Sequence, residues 1–214
     1  MKYGSNYWEQ FSPKLKRNVR LFSDLEHDHW ILIETDPNIV TFCEQPLEIS
    51  VFIEGSSVKS VPDMWVRYKS GSEAFLEVKY ERELHGTNPK SLRTKRQIQA
   101  QTLWCEKHGY HYEVKTDQLI RGNAIFLSNM KQMLTYLQPE RDLAKIDDFY
   151  VLGLCSDRKI SIQEIYQRLE HLGKSRINET LFRLLYEEHL EANLNSSPFG
   201  LDTEVWLHDK KEIN

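Results

Sequence analysis

Residues 61–80 restrict what this chain can fold into more than any other stretch. They read VPDMWVRYKSGSEAFLEVKY, two runs of alternating side chains around the turn Ser70-Gly71-Ser72-Glu73. Alternation with a period of two is typical of strands, and turn residues between two such runs predict an antiparallel hairpin. Because a hairpin folds the chain back on itself, Asp63 near its start should lie close to Glu77 on the second strand.

The predicted hairpin brings two carboxylates and an ammonium group to one face of the sheet, from Asp63, Glu77 and Lys79. Adjacent carboxylates repel, and a hard divalent cation bound through oxygens relieves the repulsion. Mg²⁺ suits two carboxylates, several waters and a phosphate, and it can activate a bound water. Lys79 would hold that water or stabilise charge on the phosphorane. With Pro62 before Asp63, this is the PD-(D/E)xK pattern of nucleases; the alternative is a solvated, charged hairpin face.

Composition further restricts the class of protein to which this chain can belong. The chain has 214 residues, of which 40% are hydrophobic and 28% charged, and this is typical of a soluble protein with one large or two small domains. Cys43, Cys105 and Cys155 form no C-x-x-C pair, so neither a zinc knuckle nor a disulfide framework is predicted. We expect a reduced, cytoplasmic setting. No signal peptide and no apolar run of membrane-spanning length is found, so no membrane contact is expected.

Positive charge is unevenly distributed along the chain, whose net charge of −4 does not by itself indicate nucleic-acid binding. Basic residues outnumber acidic ones around the helix predicted after the hairpin, whereas negative charge is concentrated in residues 141–214. A local basic patch can contact phosphates even in an acidic protein. The alternative is solvated surface. The residues predicted to bind DNA are Lys90, Arg93, Lys95 and Arg96.

Strand and helix patterns alternate over residues 21–138, which predicts an α/β fold with a mixed sheet flanked by helices. A strand, a helix and a second strand in succession predict a parallel pair beside the Glu77 strand. Ser23 and Glu26 have the spacing of a capping box at the start of the first helix. Residues 1–20 are expected to be an irregular arm. The other predicted elements are strands Ile39–Cys43, Leu47–Ile53 and Tyr110–Thr116, and helices Ser91–Lys107 and Asn123–Gln138, with the first helix ending before Asp36-Pro37.

The pattern changes after residue 139. Glu140 to Asp148 is charged and lacks strong periodicity, which predicts a linker and a boundary between domains 1–140 and 141–214. Helix, turn, helix and a two-stranded wing then outline a winged-helix domain. The predicted elements are helices from Ser161 and Ser175 and strands Leu190–Leu194 and Thr203–Leu207.

The second helix of this outline mixes basic residues with Glu179, Glu187 and Glu188. A helix that enters a major groove needs a basic balance. The composition therefore favours protein docking over DNA contact through Lys174 and Arg176, and packing on the first domain is a third alternative.

Five separate motifs occur in order along the chain. They are Leu21-Phe22-Ser23-Asp24-Leu25-Glu26, Asp36-Pro37-Asn38-Ile39-Val40, Glu44-Gln45-Pro46-Leu47, Pro62-Asp63 and Glu77-Val78-Lys79. Together they resemble the TnsA endonuclease subunit of Tn7-like heteromeric transposases. The resemblance implies a restriction-endonuclease-like catalytic domain that uses Mg²⁺, with Mn²⁺ as a substitute, followed by a winged-helix domain. It further implies catalytic roles for Glu26, Asp63, Glu77 and Lys79, the first three as metal ligands.

Four positions near the predicted site need separate interpretation. The best-known form of the family has glutamine where this chain has Glu77, and a charged ligand there should hold a metal more tightly. Glu26 can either cap its own helix or point to the metal, and the resemblance favours the metal. For Gln97 and Gln101, on the basic helix, a solvated position is favoured over contact with the site.

The resemblance implies that the protein cuts double-stranded DNA at the 5′ ends of a transposon. A TnsB-type DDE transposase would process the 3′ ends, and a TnsC-type ATPase would regulate both. One alternative is a stand-alone PD-(D/E)xK nuclease of the restriction or junction-resolvase type, which would cut DNA without partners. The other is a non-catalytic adaptor that binds DNA or protein.

Overall fold

The computed structural model describes residues 6–137 and 145–209. The chain divides into two compact units, Met1–Gly122 and Asn123–Asn214. The predicted domain boundary between residues 140 and 141 lies outside the described residues and stays a prediction.

The first unit is a mixed α/β structure. Its elements in chain order are β1 (Trp8–Ser12), β2 (Arg17–Leu21), α1 (Asp24–Thr35), β3 (Ile39–Glu44), β4 (Ile49–Ile53), β5 (Ser56–Ser60), β6 (Met64–Tyr68), β7 (Glu73–Lys79), α2 (Glu81–His85), α3 (Pro89–His108), β8 (His111–Thr116) and α4 (Asp117–Arg121). The predicted strands and helices of residues 21–122 are therefore confirmed within a few residues at each end. Strand β5 and the short helices α2 and α4 are additional elements that the sequence did not predict.

A four-stranded sheet with the order β3-β6-β7-β8 forms the centre of this unit. β6 pairs with β7 in an antiparallel register that runs from Met64↔Leu76 to Arg67↔Glu73, which confirms the predicted hairpin. β8 returns parallel to β7, also as predicted. β7 is buried from Ala74 to Val78 because it lies between two other strands and under packed helices. A mixed sheet flanked by helices fits the expected restriction-endonuclease-like fold.

The irregular arm predicted for residues 1–20 is wrong for residues 8–20. β1 and β2 form an antiparallel hairpin that pairs Trp8 with Leu21 and Ser12 with Arg17. Its turn contains Lys16 with a φ of 54°, a conformation that usually requires glycine or asparagine, so the turn has no local signal. The hairpin also holds the start of α1, because Trp8 Nε1 donates to Asp24 over 2.9 Å.

The second unit is built from helices and one small sheet. Its elements are α5 (Ala124–Tyr136), α6 (Lys145–Leu154), β9 (Ile160–Ser161), α7 (Ile162–Arg168), α8 (Lys174–Tyr186), β10 (Leu190–Ala192) and β11 (Glu204–Leu207). The strands pair antiparallel in the order β10-β11-β9. α5 belongs to this unit because the buried Asn129 side chain donates to the carbonyls of Leu194 and Ser197 and accepts from the Phe199 N–H.

The predicted linker 140–148 is wrong where the structure describes it, since residues 145–148 begin α6; residues 138–144 lie outside the described part. The two aspartates at the start of α6 form ion pairs and are not simply solvated. Asp147, 1% exposed, accepts two hydrogen bonds from Arg176, and Asp148 pairs with Arg183. Both arginines lie on α8, so the charged run is one side of a helix–helix contact.

The structure also bears on the cysteines and on membrane-spanning helices. Cys43, Cys105 and Cys155 carry free thiols. Among the described residues, no helix combines the length and hydrophobicity that crossing a membrane requires.

Candidate active site

Asp63 lies immediately before β6, and the hairpin brings it beside β7. Its Oδ2 atom accepts a hydrogen bond of 2.7 Å from the backbone N–H of Val78. Its Oδ1 atom has no hydrogen-bond donor among the described residues, and the side chain is partly exposed. One carboxylate oxygen is therefore fixed by the strand, and the other is available to a ligand.

Glu77 is fully buried in the middle of the sheet, at 0% exposure, although it is an ionisable residue. Three side-chain donors surround its carboxylate. Oε1 accepts from Lys79 Nζ and from Gln97 Nε2 at 2.7 Å, and Oε2 accepts from Gln101 Nε2 at 2.8 Å. A buried carboxylate needs such donors, because an unpaired charge in the interior is strongly unfavourable.

The solvated positions favoured for Gln97 and Gln101 are wrong. The two residues are one helical turn apart on α3, so they lie on the same face of the helix, and that face covers β7. α3 begins with Pro89 after an Asn88 cap and ends at Gly109, which extends the predicted helix Ser91–Lys107 by two residues at its start and one at its end. The spacing of four between two glutamines, next to the buried Ala100 and Cys105, is the signal that could have placed them on the inner face.

Electrostatic interactions at the site leave an excess of negative charge. Burial, followed by the charge of Glu77, raises the pKa of Asp63 to about 8, and Glu26 adds to this while Lys79 acts against it. Burial opposes the charged form of Lys79, but the neighbouring Glu77 and Asp63 outweigh it and raise the pKa of Lys79. Lys79 is therefore an ammonium ion at neutral pH. Asp63, in contrast, needs a further cation to ionise readily.

The structure places Glu26 in the predicted capping box. Ser23 Oγ accepts from the Glu26 N–H at 3.1 Å, and the Glu26 carboxylate accepts from Ser23 Oγ and from the Phe22 N–H, both at 3.0 Å. Its negative charge nevertheless acts on Asp63. The cap is thus confirmed, and the role of Glu26 as a metal ligand stays a prediction.

The carboxylate oxygens of Asp63 and Glu77 are suitable ligands for a hard divalent cation. Such an ion would relieve the repulsion between the two carboxylates that raises the pKa of Asp63. Within residues 6–137 and 145–209, no three His, Cys, Asp or Glu side chains are arranged to hold a metal ion. The predicted set of Glu26, Asp63 and Glu77 is therefore not preformed as a group of three ligands, and metal binding by Asp63 and Glu77 stays a prediction.

All four residues predicted to bind DNA are exposed on the N-terminal half of α3. Lys90 pairs with Glu83, and Arg96 donates to Ser56 Oγ on β5. Arg93 precedes Gln97 by four residues, so it lies on the site-facing side, whereas Lys95 lies about 200° around the helix from Gln97. Helix periodicity thus puts Arg93 and Lys90 on the same side of α3 as Gln97 and puts Lys95 on the opposite side. DNA binding stays a prediction for the whole set.

Comparison with known proteins gives one family. Residues 36–117 match a family model described as TnsA-like endonuclease N terminal, and no curated protein matches the chain. The matched interval contains Asp63, Glu77, Lys79 and the glutamine pair, and it ends before the second unit begins. Over residues 36–117, the match confirms the predicted resemblance to the TnsA-type endonucleases of Tn7-like transposition.

Proposed function

We propose that this protein is the metal-dependent DNA endonuclease subunit of a Tn7-like transposase and that it cuts the strand at the 5′ ends of the element. One observation supports this most strongly. The interval that matches the TnsA-like endonuclease family encloses a site where Asp63, the buried Glu77 and Lys79 lie together. An ordinary charged hairpin face would be solvated, whereas this one buries a carboxylate completely.

Asp63 and Glu77 would hold Mg²⁺, or Mn²⁺ in its place. When bound, the ion polarises a phosphoryl oxygen and lowers the pKa of a bound water. Lys79 serves as a charged donor and not as a base, because its raised pKa keeps it protonated. From its hydrogen bond to Glu77 it can orient the attacking water or stabilise charge that develops on the phosphorane.

The exposed basic residues of α3 would bind the DNA backbone, with Arg93 nearest to the scissile phosphate. Phosphate contacts position a duplex without reading its sequence. Such a set therefore supports a subunit that depends on partners for the choice of its cutting site.

Within the second unit, the elements from α6 to β11 follow the order helix, strand, helix, helix, strand, strand. We propose that they form a winged-helix domain that docks a partner protein. Two arginines of α8, Arg176 and Arg183, are paired with Asp147 and Asp148, which lowers the positive charge that the helix can offer to DNA. The proposed partners are the TnsB-type DDE transposase and the TnsC-type ATPase of the same element.

Replacing Lys79 with methionine tests the proposed reaction. The change keeps much of the aliphatic stem and removes the charge. With the partner transposase and ATPase present, the wild type should cut the 5′ strands in Mg²⁺, and the Lys79→Met variant should lose about 1,000-fold in 5′-strand cutting. Joining of the 3′ ends should remain. Strand-specific denaturing gels of a labelled transposon end measure both steps.

Lys107→Met is the matched control, because Lys107 is an exposed lysine in the last turn of α3, at the opposite end of that helix from Lys90 and Arg93. Efficient cutting by the wild type without any partner would instead favour the stand-alone nuclease. Full 5′-strand cutting by Lys79→Met would contradict the role given to Lys79.

The two interpretations of Glu26 can be separated by a pair of substitutions. Glu26→Gln keeps an acceptor for the cap but removes the charge near Asp63, so it should lower cutting about 100-fold with little change in stability if Glu26 binds the metal. Ser23→Ala removes the cap hydroxyl, so it should cost about 1 kcal/mol of stability and leave cutting nearly unchanged. Wild-type cutting by Glu26→Gln would show that Glu26 only caps its helix.

A further inference from the structure

The buried carboxylate of Glu77 is joined to uncharged side chains from three other elements. Gln97 and Gln101 of α3 donate to different oxygens of Glu77, at 2.7 and 2.8 Å. Gln101 also donates to Ser60 Oγ on β5 at 2.8 Å and accepts from the Tyr112 hydroxyl on β8 at 2.7 Å. Both Gln101 and Glu77 are 0% exposed.

These hydrogen bonds determine which end of the Gln101 amide faces Glu77. The amide oxygen accepts from Tyr112, so its NH₂ group must point to Ser60 and Glu77. Turning the amide over would set its oxygen against the Glu77 carboxylate, which can only accept. Glu77 therefore selects the orientation, and the Tyr112 hydroxyl stabilises it by donating to the amide oxygen on the other side.

Neutral donors are suited to a carboxylate that must bind a cation. Lys79 already supplies one charged donor to Glu77. The two amides add one neutral donor to each oxygen, and this fixes the plane of the carboxylate without adding further positive charge. An arginine or lysine in place of Gln101 would also satisfy it, but would repel a divalent ion. Replacing a side chain that orients a metal ligand typically lowers the affinity for the metal about 10- to 100-fold.

From this geometry we propose that Gln97, Gln101 and Tyr112 are positioning residues that orient Glu77 to bind the divalent cation. The proposal rests on the proposed metal-dependent function and extends it to residues that the proposed reaction does not itself use. Gln101 has the main role because every polar atom of its amide is used. Gln97 is only partly buried and makes one of these bonds.

Cation affinity of the DNA-free protein tests the proposal without any cutting assay. The probe is Mn²⁺ alone, followed by titration calorimetry and by the electron paramagnetic resonance of the bound ion. Gln101→Met keeps the length of the side chain and removes its hydrogen bonds, so Mn²⁺ affinity should fall about 10- to 100-fold. Tyr112→Phe removes one hydroxyl and keeps the ring, and we expect a smaller loss, about threefold to tenfold.

Gln99→Met is the matched control, because Gln99 is an exposed glutamine on the same helix; its Mn²⁺ affinity should equal that of the wild type. Wild-type affinity in both Gln101→Met and Tyr112→Phe, even with a lower melting temperature, would overturn the positioning role and leave the nuclease proposal standing. Failure of the wild type itself to bind Mn²⁺ would overturn the metal-dependent function and this inference with it.

Discussion

Replacing Asp63 with asparagine is expected to abolish DNA cutting and also to stabilise the metal-free protein. Cutting should fall at least about 1,000-fold, because a cation ligand is lost. The amide oxygen of asparagine can keep the hydrogen bond from the Val78 N–H. What disappears is a carboxylate that burial and the Glu77 charge make difficult to ionise.

The gain in stability should depend on pH in a defined direction. The pKa of Asp63 rises from an ordinary value of 3.8 to about 8 in the folded protein, so the folded state binds the proton more tightly. The wild type should therefore lose stability as the pH rises from about 4 through 8, relative to the variant. Above pH 8 we expect Asp63→Asn to be more stable by about 1–3 kcal/mol, because partial exposure reduces the effect.

Urea unfolding in EDTA at pH 5 and pH 9, with wild type and variant side by side, measures this difference. The exposed Asp202→Asn is the control. Mg²⁺ should stabilise the wild type and have a much weaker effect on Asp63→Asn, since only a ligand that binds the folded state stabilises it. An equal stability difference at both pH values would contradict the raised pKa.

Replacing Glu77 with glutamine should be strongly unfavourable here, although glutamine occupies this position in the best-known form of the family. The carboxylate accepts from Lys79, Gln97 and Gln101. An amide has only one oxygen, so its NH₂ group must face at least one of these donors. In a fully buried site we expect a loss of about 2–4 kcal/mol in unfolding free energy and about 100-fold in cutting.

A second substitution can restore the hydrogen bonds without restoring the site. In the double variant Glu77→Gln with Gln101→Glu, the amide at position 77 can donate to the carboxylate at position 101, to which Tyr112 and Ser60 can also donate. Most of the stability should return while cutting stays low. A double-mutant cycle from urea unfolding gives the coupling, and the exposed Glu106→Gln on α3 is the control. Additive losses would contradict the hydrogen-bond network.

Local patterns in the sequence predicted much of the fold and the central part of the candidate site. The hairpin followed from a period of two, and its register then placed Asp63 beside β7. Ser23 and Glu26 predicted the cap from spacing alone. Each of these features depends on residues that are close in sequence or are joined by one turn between two strands. The local sequence pattern is therefore enough to predict them.

The features that the sequence did not predict depend on packing between distant elements. Gln97 and Gln101 are recognisable as partners of Glu77 only when α3 is known to cover β7. The charged residues 145–148 resemble a linker until Asp147 and Asp148 meet α8. The turn at Lys16 has no glycine, so the N-terminal hairpin leaves no signal in the sequence.

The 20-residue helix α3 has a mechanical consequence for the site. It is a rod of about 30 Å whose exposed first turns carry Lys90 and Arg93 and whose middle touches the Glu77 carboxylate. Its start is tightly seated, because a methyl group on Gly86 would come within 2.2 Å of Ser91 Oγ. Under the proposed function, DNA bound at the first turns would act on the Glu77 carboxylate through one continuous helix, without a separate hinge between the two.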